Sequence, residues 1–120
     1  MQPISIDPDT FARQWLEAWN RHSLEDILAH YQDDVVFRSP MIPRITGARE
    51  GILRGKPALR AYWGQALAAL PDLRFELLDV LSGYETVTLY YKGHRGNVAE
   101  TFLFGEKALV RESIACYAAG

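Results

Sequence analysis

Cys116 is the only cysteine in the chain, which rules out an internal disulfide and leaves a cysteine-based zinc site without its ligands. Excess positive charge is also missing. The 13 Lys and Arg residues are outnumbered by 15 Asp and Glu, for a formal net charge of −2. A phosphate-backbone partner needs clustered cations to release counterions, so no nucleic-acid partner is expected. No window approaches the roughly 20 consecutive apolar residues of a membrane-spanning helix, and no membrane partner is expected. The opening MQPISIDPDTFARQWLEAW has acidic and polar residues where a signal peptide needs a basic start and an apolar run. With a lone thiol, this leads us to expect a cytoplasmic protein. Catalytic signatures are scarce too. There is no nucleophile elbow, phosphate-binding glycine loop or dinucleotide fingerprint. His22, His30 and His94 show no i, i+4 spacing and no accompanying carboxylate cluster, so neither a metal site nor a cofactor is expected.

What is present is an ordinary globular composition over 120 residues, 48% hydrophobic and 23% charged, read as one domain covering 1–120. Asp7-Pro8 is a strong helix start, and Phe11, Trp15 and Trp19 then recur every four residues with Ala12 and Leu16 beside them. Ser23-Leu-Glu-Asp26 resembles a capping box and opens a second short helix, in which Leu24, Ile27, Leu28 and Tyr31 keep the helical period. Val35–Ser39 reads as a strand stopped by Pro40. From Pro40 to Gly55 two prolines, three glycines, Arg44, Arg49 and Arg54 suit a long, locally basic excursion, either a solvated loop or a lid that attracts an anion. A short hairpin could lie inside it. Pro57 opens a third helix carrying Leu59, Tyr62, Trp63, Ala66, Leu67 and Leu70. After Pro71 the period changes from about 3.6 to 2. Four strands are predicted over 74–81, 86–92, 98–104 and 109–117, joined by short turns and so antiparallel. Helices first and a sheet afterwards is the α+β order.

Glu100 is the position with chemical content. Val98, Glu100, Phe102 and Phe104 share one face of a period-2 strand, which puts a carboxyl group among aromatic rings. If that face is the inner one, desolvation raises the carboxyl pKa and makes the group useful as an acid or base near neutral pH. The other readings are a buried Glu paired with an Arg, or an outward face that is merely semi-polar. Phe11, Trp15 and Trp19 could line a pocket or simply form core, and a buried indole N–H must find a partner. Tyr62 and Trp63, and Val87, Leu89 and Tyr91, stand under the same choice.

The stretches FARQWLEAWNRHSLEDILAHYQDDVVFRSP, GKPALRAYWGQALAALPDLRFELLDV and AETFLFGEKALVRESIACY, in that order, resemble the nuclear-transport-factor-2-like superfamily. The closest likeness is to its SnoaL-like branch, related to polyketide cyclases and ketosteroid isomerases. The resemblance implies a cystatin-like cone: three N-terminal-half helices packed on a strongly curved, mainly antiparallel sheet, with a pocket at the open end. It places the isomerase's catalytic base at Ser39, before Pro40, so the base is missing. The oxyanion-holding tyrosine of the first helix falls at Trp15, and the second donor, a carboxylic acid kept neutral by an apolar site, falls at Glu100. A typical ketosteroid isomerase is therefore not expected. The same likeness sets Phe37, Tyr62, Trp63, Val87, Leu89, Tyr91, Phe102, Ser113 and Tyr117 around the pocket, and the aromatic stripe of the first helix adds Trp19 as a candidate lining residue.

Two functions follow as expectations. One is a cofactor-free enzyme of isomerase, cyclase or hydrolase type. It would take up a small, mostly hydrophobic carbonyl compound, with Glu100 as acid or base and Ser39, Trp15 or Tyr91 orienting the polar end. The other is a non-catalytic binding or interaction module that forms a homodimer through the outer sheet face. Arg74, Glu76, Leu78 and Val80 on one strand, with Thr86, Thr88 and Tyr90 on the next, make up that face.

Overall fold

Four helices lie on one six-stranded sheet in a computed structural model that describes residues 6–119. Met1–Ser5, the beginning of the stretch scanned for a targeting signal, and Gly120 lie outside the described residues. Helix α1 spans Pro8–Asn20; the Asp7 carboxylate accepts the Thr10 N–H at its start, and Phe11, Ala12, Trp15, Ala18 and Trp19 are buried along one stripe. Helix α2, Leu24–Leu28, is capped by Ser23, whose hydroxyl accepts from the Asp26 N–H at 3.4 Å. It is shorter than the periodicity suggests. Tyr31, placed on that helix by its spacing from Ile27 and Leu28, instead begins strand β1, Tyr31–Arg38. One inward residue following a helix by three or four positions looks the same in either conformation, so spacing could not separate them.

The 40–55 excursion contains more structure than its composition implies. Helix α3 occupies Met41–Thr46 and strand β2 occupies Ile52–Arg54, so the sequence expectation of three helices is corrected to four. Pro40 caps α3 and Pro43 is its third residue. The first four N–H groups of a helix have no intrahelical partner, so a proline there removes nothing. Gly47, at φ 76°, ends the helix in the left-handed region. Strand β2 pairs antiparallel with β1, Phe37 opposite Leu53. The Ser39 N–H extends that pairing by donating to the Gly51 carbonyl at 2.9 Å. A Cβ on Gly51 would meet the Ser39 carbonyl oxygen at 2.7 Å, so this approach requires glycine.

Helix α4, Lys56–Ala69, buries Leu59, Tyr62 and Trp63. Strands β3 (Glu76–Gly83), β4 (Thr86–Lys92), β5 (Asn97–Phe104) and β6 (Val110–Tyr117) follow as antiparallel neighbours, with a 3₁₀ turn at Glu106–Ala108. The sheet order is β2-β1-β6-β5-β4-β3. Strand β6 runs parallel to β1, with Phe37 beside Ser113, and this joins the helical half of the chain to the meander. The β3 register shifts between Leu77 and Asp79. Before the shift Leu77 faces Tyr91, and after it Val80 faces Leu89. Val80 therefore packs against the core instead of sharing the outer face with Leu78 as simple alternation predicts; Leu81 takes the outward place opposite Thr88.

Candidate functional site

Strand β5 alternates without fault: Val98, Glu100, Phe102 and Phe104 are buried, and the residues between them are half-buried. Glu100 is only 4% exposed. It faces Leu89 on β4 and Ala115 on β6, which delivers its carboxyl group to the middle of the inner sheet face beneath α1. Two hydroxyls hold it. Tyr91 Oη donates to Oε1 at 2.8 Å, and Ser113 Oγ donates to Oε2 at 2.8 Å. Among the described residues no cation pairs with it, which disposes of the expected alternative of a Glu–Arg pair. Burial raises the Glu100 pKa above the ordinary 4.5, while the Ser113 and Tyr91 hydrogen bonds pull it back in part. Desolvation wins because a carboxylate here exchanges water for only two neutral donors.

Trp15, buried on α1, stands over the same face, its ring 5.3 Å from those of Tyr91 and Phe102. Its indole N–H donates to Tyr31 Oη at 3.0 Å. The partner required of a buried indole is thus a residue assigned to the wrong element by its spacing. Tyr31 was the group that sequence reasoning missed; its position immediately before an apolar strand run was the available signal. Burial, and then the nearby Glu100 carboxyl, push the Tyr31 phenol well above its usual range, and the same two causes act on Tyr91. Trp19, Phe37, Tyr62, Trp63, Val87, Leu89, Phe102 and Ser113 are all buried. Trp63 links the group, lying 5.3 Å from Trp19, 5.2 Å from Tyr31 and 5.3 Å from Phe37.

Ser39 and Tyr117 lie apart from the Glu100 hydrogen bonds. Ser39 Oγ accepts the Met41 N–H at 3.1 Å and so serves the first turn of α3. Tyr117 is 44% exposed at the end of β6; burial of the rest of its ring raises the phenol, and the Ser39 hydroxyl offsets part of this. Tyr62 is pushed up to about 12, by burial and then by Tyr117.

A SnoaL-like domain profile matches residues 12–108. The chain belongs to the SnoaL-like family. A SnoaL-like protein of unknown function from Burkholderia thailandensis is 42% identical, with 98% of this chain and 100% of that one covered and a TM-score of 0.92. More distant structures share the fold. SalBIII, an epoxide hydrolase/cyclase-like enzyme with a role in pyran ring formation in the polyether salinomycin, is 10% identical over 92% of this chain and 90% of its own, at a TM-score of 0.74. TerC, co-crystallised with polyporic acid, is 13% identical over 93% and 92%, at a TM-score of 0.73. No curated protein matches the chain in sequence.

The surface of this SnoaL-like frame carries depressions on two sets of elements. One, of about 420 Å³, is lined by Arg38, Ser39, Pro40, Pro43, Gly51, Ile114 and Ala115. The other, of about 280 Å³, is lined by Glu17, Asn20, Arg21 and Arg74. Neither of these two is lined by Glu100, Tyr91 or Ser113. Among the described residues no group of three or more His, Cys, Asp or Glu is placed to hold a metal ion, and no helix is long and apolar enough to cross a membrane.

Proposed function

We propose that this SnoaL-like chain admits a small, mostly apolar, carbonyl-bearing molecule to its ring-lined interior and moves a proton on it without a cofactor, as an isomerase, cyclase or hydrolase does. Glu100 is the acid–base group. The observation that carries this reading is a buried carboxyl group with no cation, held by two hydroxyls. Ionised, Glu100 uses the hydrogens of both Tyr91 and Ser113. Protonated, the three groups share three hydrogens over two contacts, and one hydrogen is left to point at a guest's carbonyl oxygen. Such a neutral acid polarises a carbonyl and returns to the carboxylate form when its proton is passed on. With Glu100 protonated, the Tyr91 hydroxyl can turn its hydrogen from the carboxyl group to the polar end of the guest, whereas the Trp15 indole stays committed to Tyr31. The cyclase-like name of SalBIII supports the reaction type, and the co-crystallisation of TerC with polyporic acid supports an oxygen-bearing guest.

Mass spectrometry of small molecules retained by the purified native protein identifies the guest. With that guest, Glu100→Gln is expected to cut turnover by at least a hundredfold with the fold intact. Unchanged turnover and affinity would remove Glu100 from the mechanism.

A second reading draws on the outer sheet face, where Leu78, Leu81 and Tyr90 are exposed side by side on β3 and β4. There the chain is a homodimeric binding module. Sedimentation at micromolar concentration decides it, since a strictly monomeric protein has no use for that surface.

A further inference from the structure

Trp19 breaks the rule that Trp15 obeys. Its side chain is buried at 5% exposure, yet Nε1 has no hydrogen-bond partner among the described residues. A buried donor without an acceptor is destabilising, and few survive in folded proteins without a purpose. The indole sits in a box of rings: Trp63 at 5.3 Å and near-perpendicular, Phe75 at 5.4 Å and Trp15 at 6.0 Å. An edge-on ring gives an N–H at most a weak π acceptor.

One wall of the box differs from the others. Phe75 belongs to neither helix nor strand; it lies in the segment that joins α4 to β3. Its ring stacks on Trp15 at 5.8 Å and 17° and approaches Tyr91 to 4.7 Å, so it touches both Trp19 and the rings around Glu100. Side chains at the end of α1 tether this segment. Asn20 accepts the Phe75 N–H at 2.7 Å and donates to its carbonyl at 3.0 Å, and His22 Nε2 donates to the Leu73 carbonyl at 2.8 Å. The 280 Å³ depression lies on Asn20 and Arg74, directly outside the tether.

The geometry points to Trp19 as the polar anchor of the guest site. Its indole N–H takes a carbonyl or ether oxygen of a flat, apolar molecule that enters past Asn20 and replaces the Phe75 ring between Trp15, Trp19 and Tyr91. This rests on the interior site proposed above and adds what that site selects: a flat ring system with an acceptor oxygen placed to reach the Trp19 indole. A saturated or acceptor-free hydrocarbon of the same shape gains the rings and loses the anchor.

The test uses two probes of matched shape, 1-tetralone and tetralin, and the indole N–H resonances of Trp15, Trp19 and Trp63 in ¹⁵N-labelled protein. 1-Tetralone should move the Trp19 signal downfield as its N–H gains an acceptor, and tetralin should not. Trp19→Phe keeps a ring and deletes the donor. It should weaken 1-tetralone on the order of tenfold and leave tetralin within about twofold. Should that variant fail to fold, the wild-type shift decides alone. Saturable ketone binding with an unmoved Trp19 signal would overturn the anchor and spare the Glu100 reading. A moved Trp19 signal that persists in Glu100→Gln, with turnover also intact, would retain the anchor and remove the Glu100 chemistry. No saturable ketone binding up to the solubility limit would overturn both.

Discussion

Strand β5 carries hydroxyl contacts of nearly equal length on its opposite faces. Outward, the Thr88 and Thr101 hydroxyls share a hydrogen bond of 2.9 Å; inward, Ser113 donates to Glu100 at 2.8 Å. Thr88 and Thr101 are half-buried, so water can replace either one, while Ser113 is fully buried and Glu100 nearly so. Bond length is therefore the wrong measure of what these contacts do. The free energy at stake is the desolvation that each side must recover, which is small outside and large inside. The same contrast explains why one face offers surface and the other offers chemistry.

The comparison breaks if inner-face changes prove no more damaging than outer ones. The largest effect is expected from Trp15→Ala, which empties the space above Tyr91 and Phe102 and strips Tyr31 of its donor. A loss of about 3–5 kcal/mol by chemical denaturation is expected, with the midpoint and not the slope carrying the change. Ser113→Ala should follow at about 1–3 kcal/mol, because a buried carboxyl group loses one of its two partners. That variant also sharpens the contrast: without the Ser113 bond the Glu100 pKa rises further, which carboxyl NMR of labelled Glu can read.

Next in size is a pH dependence. Glu100 holds its proton more tightly folded than unfolded, so the folded state binds more protons once the unfolded carboxyl begins to ionise. Stability should be greatest below the ordinary carboxylate pKa and fall as pH rises from there toward the folded pKa. The contribution of this one group has a slope of at most about 1.4 kcal/mol per pH unit. Glu100→Gln should erase that slope, and a variant with an unchanged profile would show the group to be ordinary. The smallest effect belongs outside. Thr101→Ala should stay within about 0.5 kcal/mol of wild type, and a loss approaching that of Ser113→Ala would erase the difference between the faces.

Much of this was legible beforehand, and the exceptions have definite causes. The α1 stripe and the β5 alternation are long patterns, and each has one meaning: Asp7-Pro8 starts a helix, and a carboxyl group every second residue from Val98 and Phe102 must share their side. The family likeness named Tyr91 and Ser113 as pocket residues; that both bond to Glu100 is a finding of the structure. Short patterns misled. Tyr31 suited helix and strand equally, Pro40 and Pro43 hid a six-residue helix by looking like loop punctuation, and nothing about Leu78 announced the bulge that turns Val80 inward. The grouping of Ser39 with Glu100 as one catalytic set came from the likeness alone. In the structure the Ser39 hydroxyl accepts from the Met41 N–H at the start of α3.

By itself, then, the order of residues determined which side chains share a face, because that depends only on the 3.6- and 2-residue periods of a chain with fixed geometry. It also determined that no second thiol or excess of cations was available to dictate a different chemistry. Which face is dry and which indole is left without an acceptor were decided only when β1 came to lie beside β6 and α1 covered the sheet. Those are contacts between residues tens of positions apart, and burial, unlike periodicity, is a property of the assembled molecule.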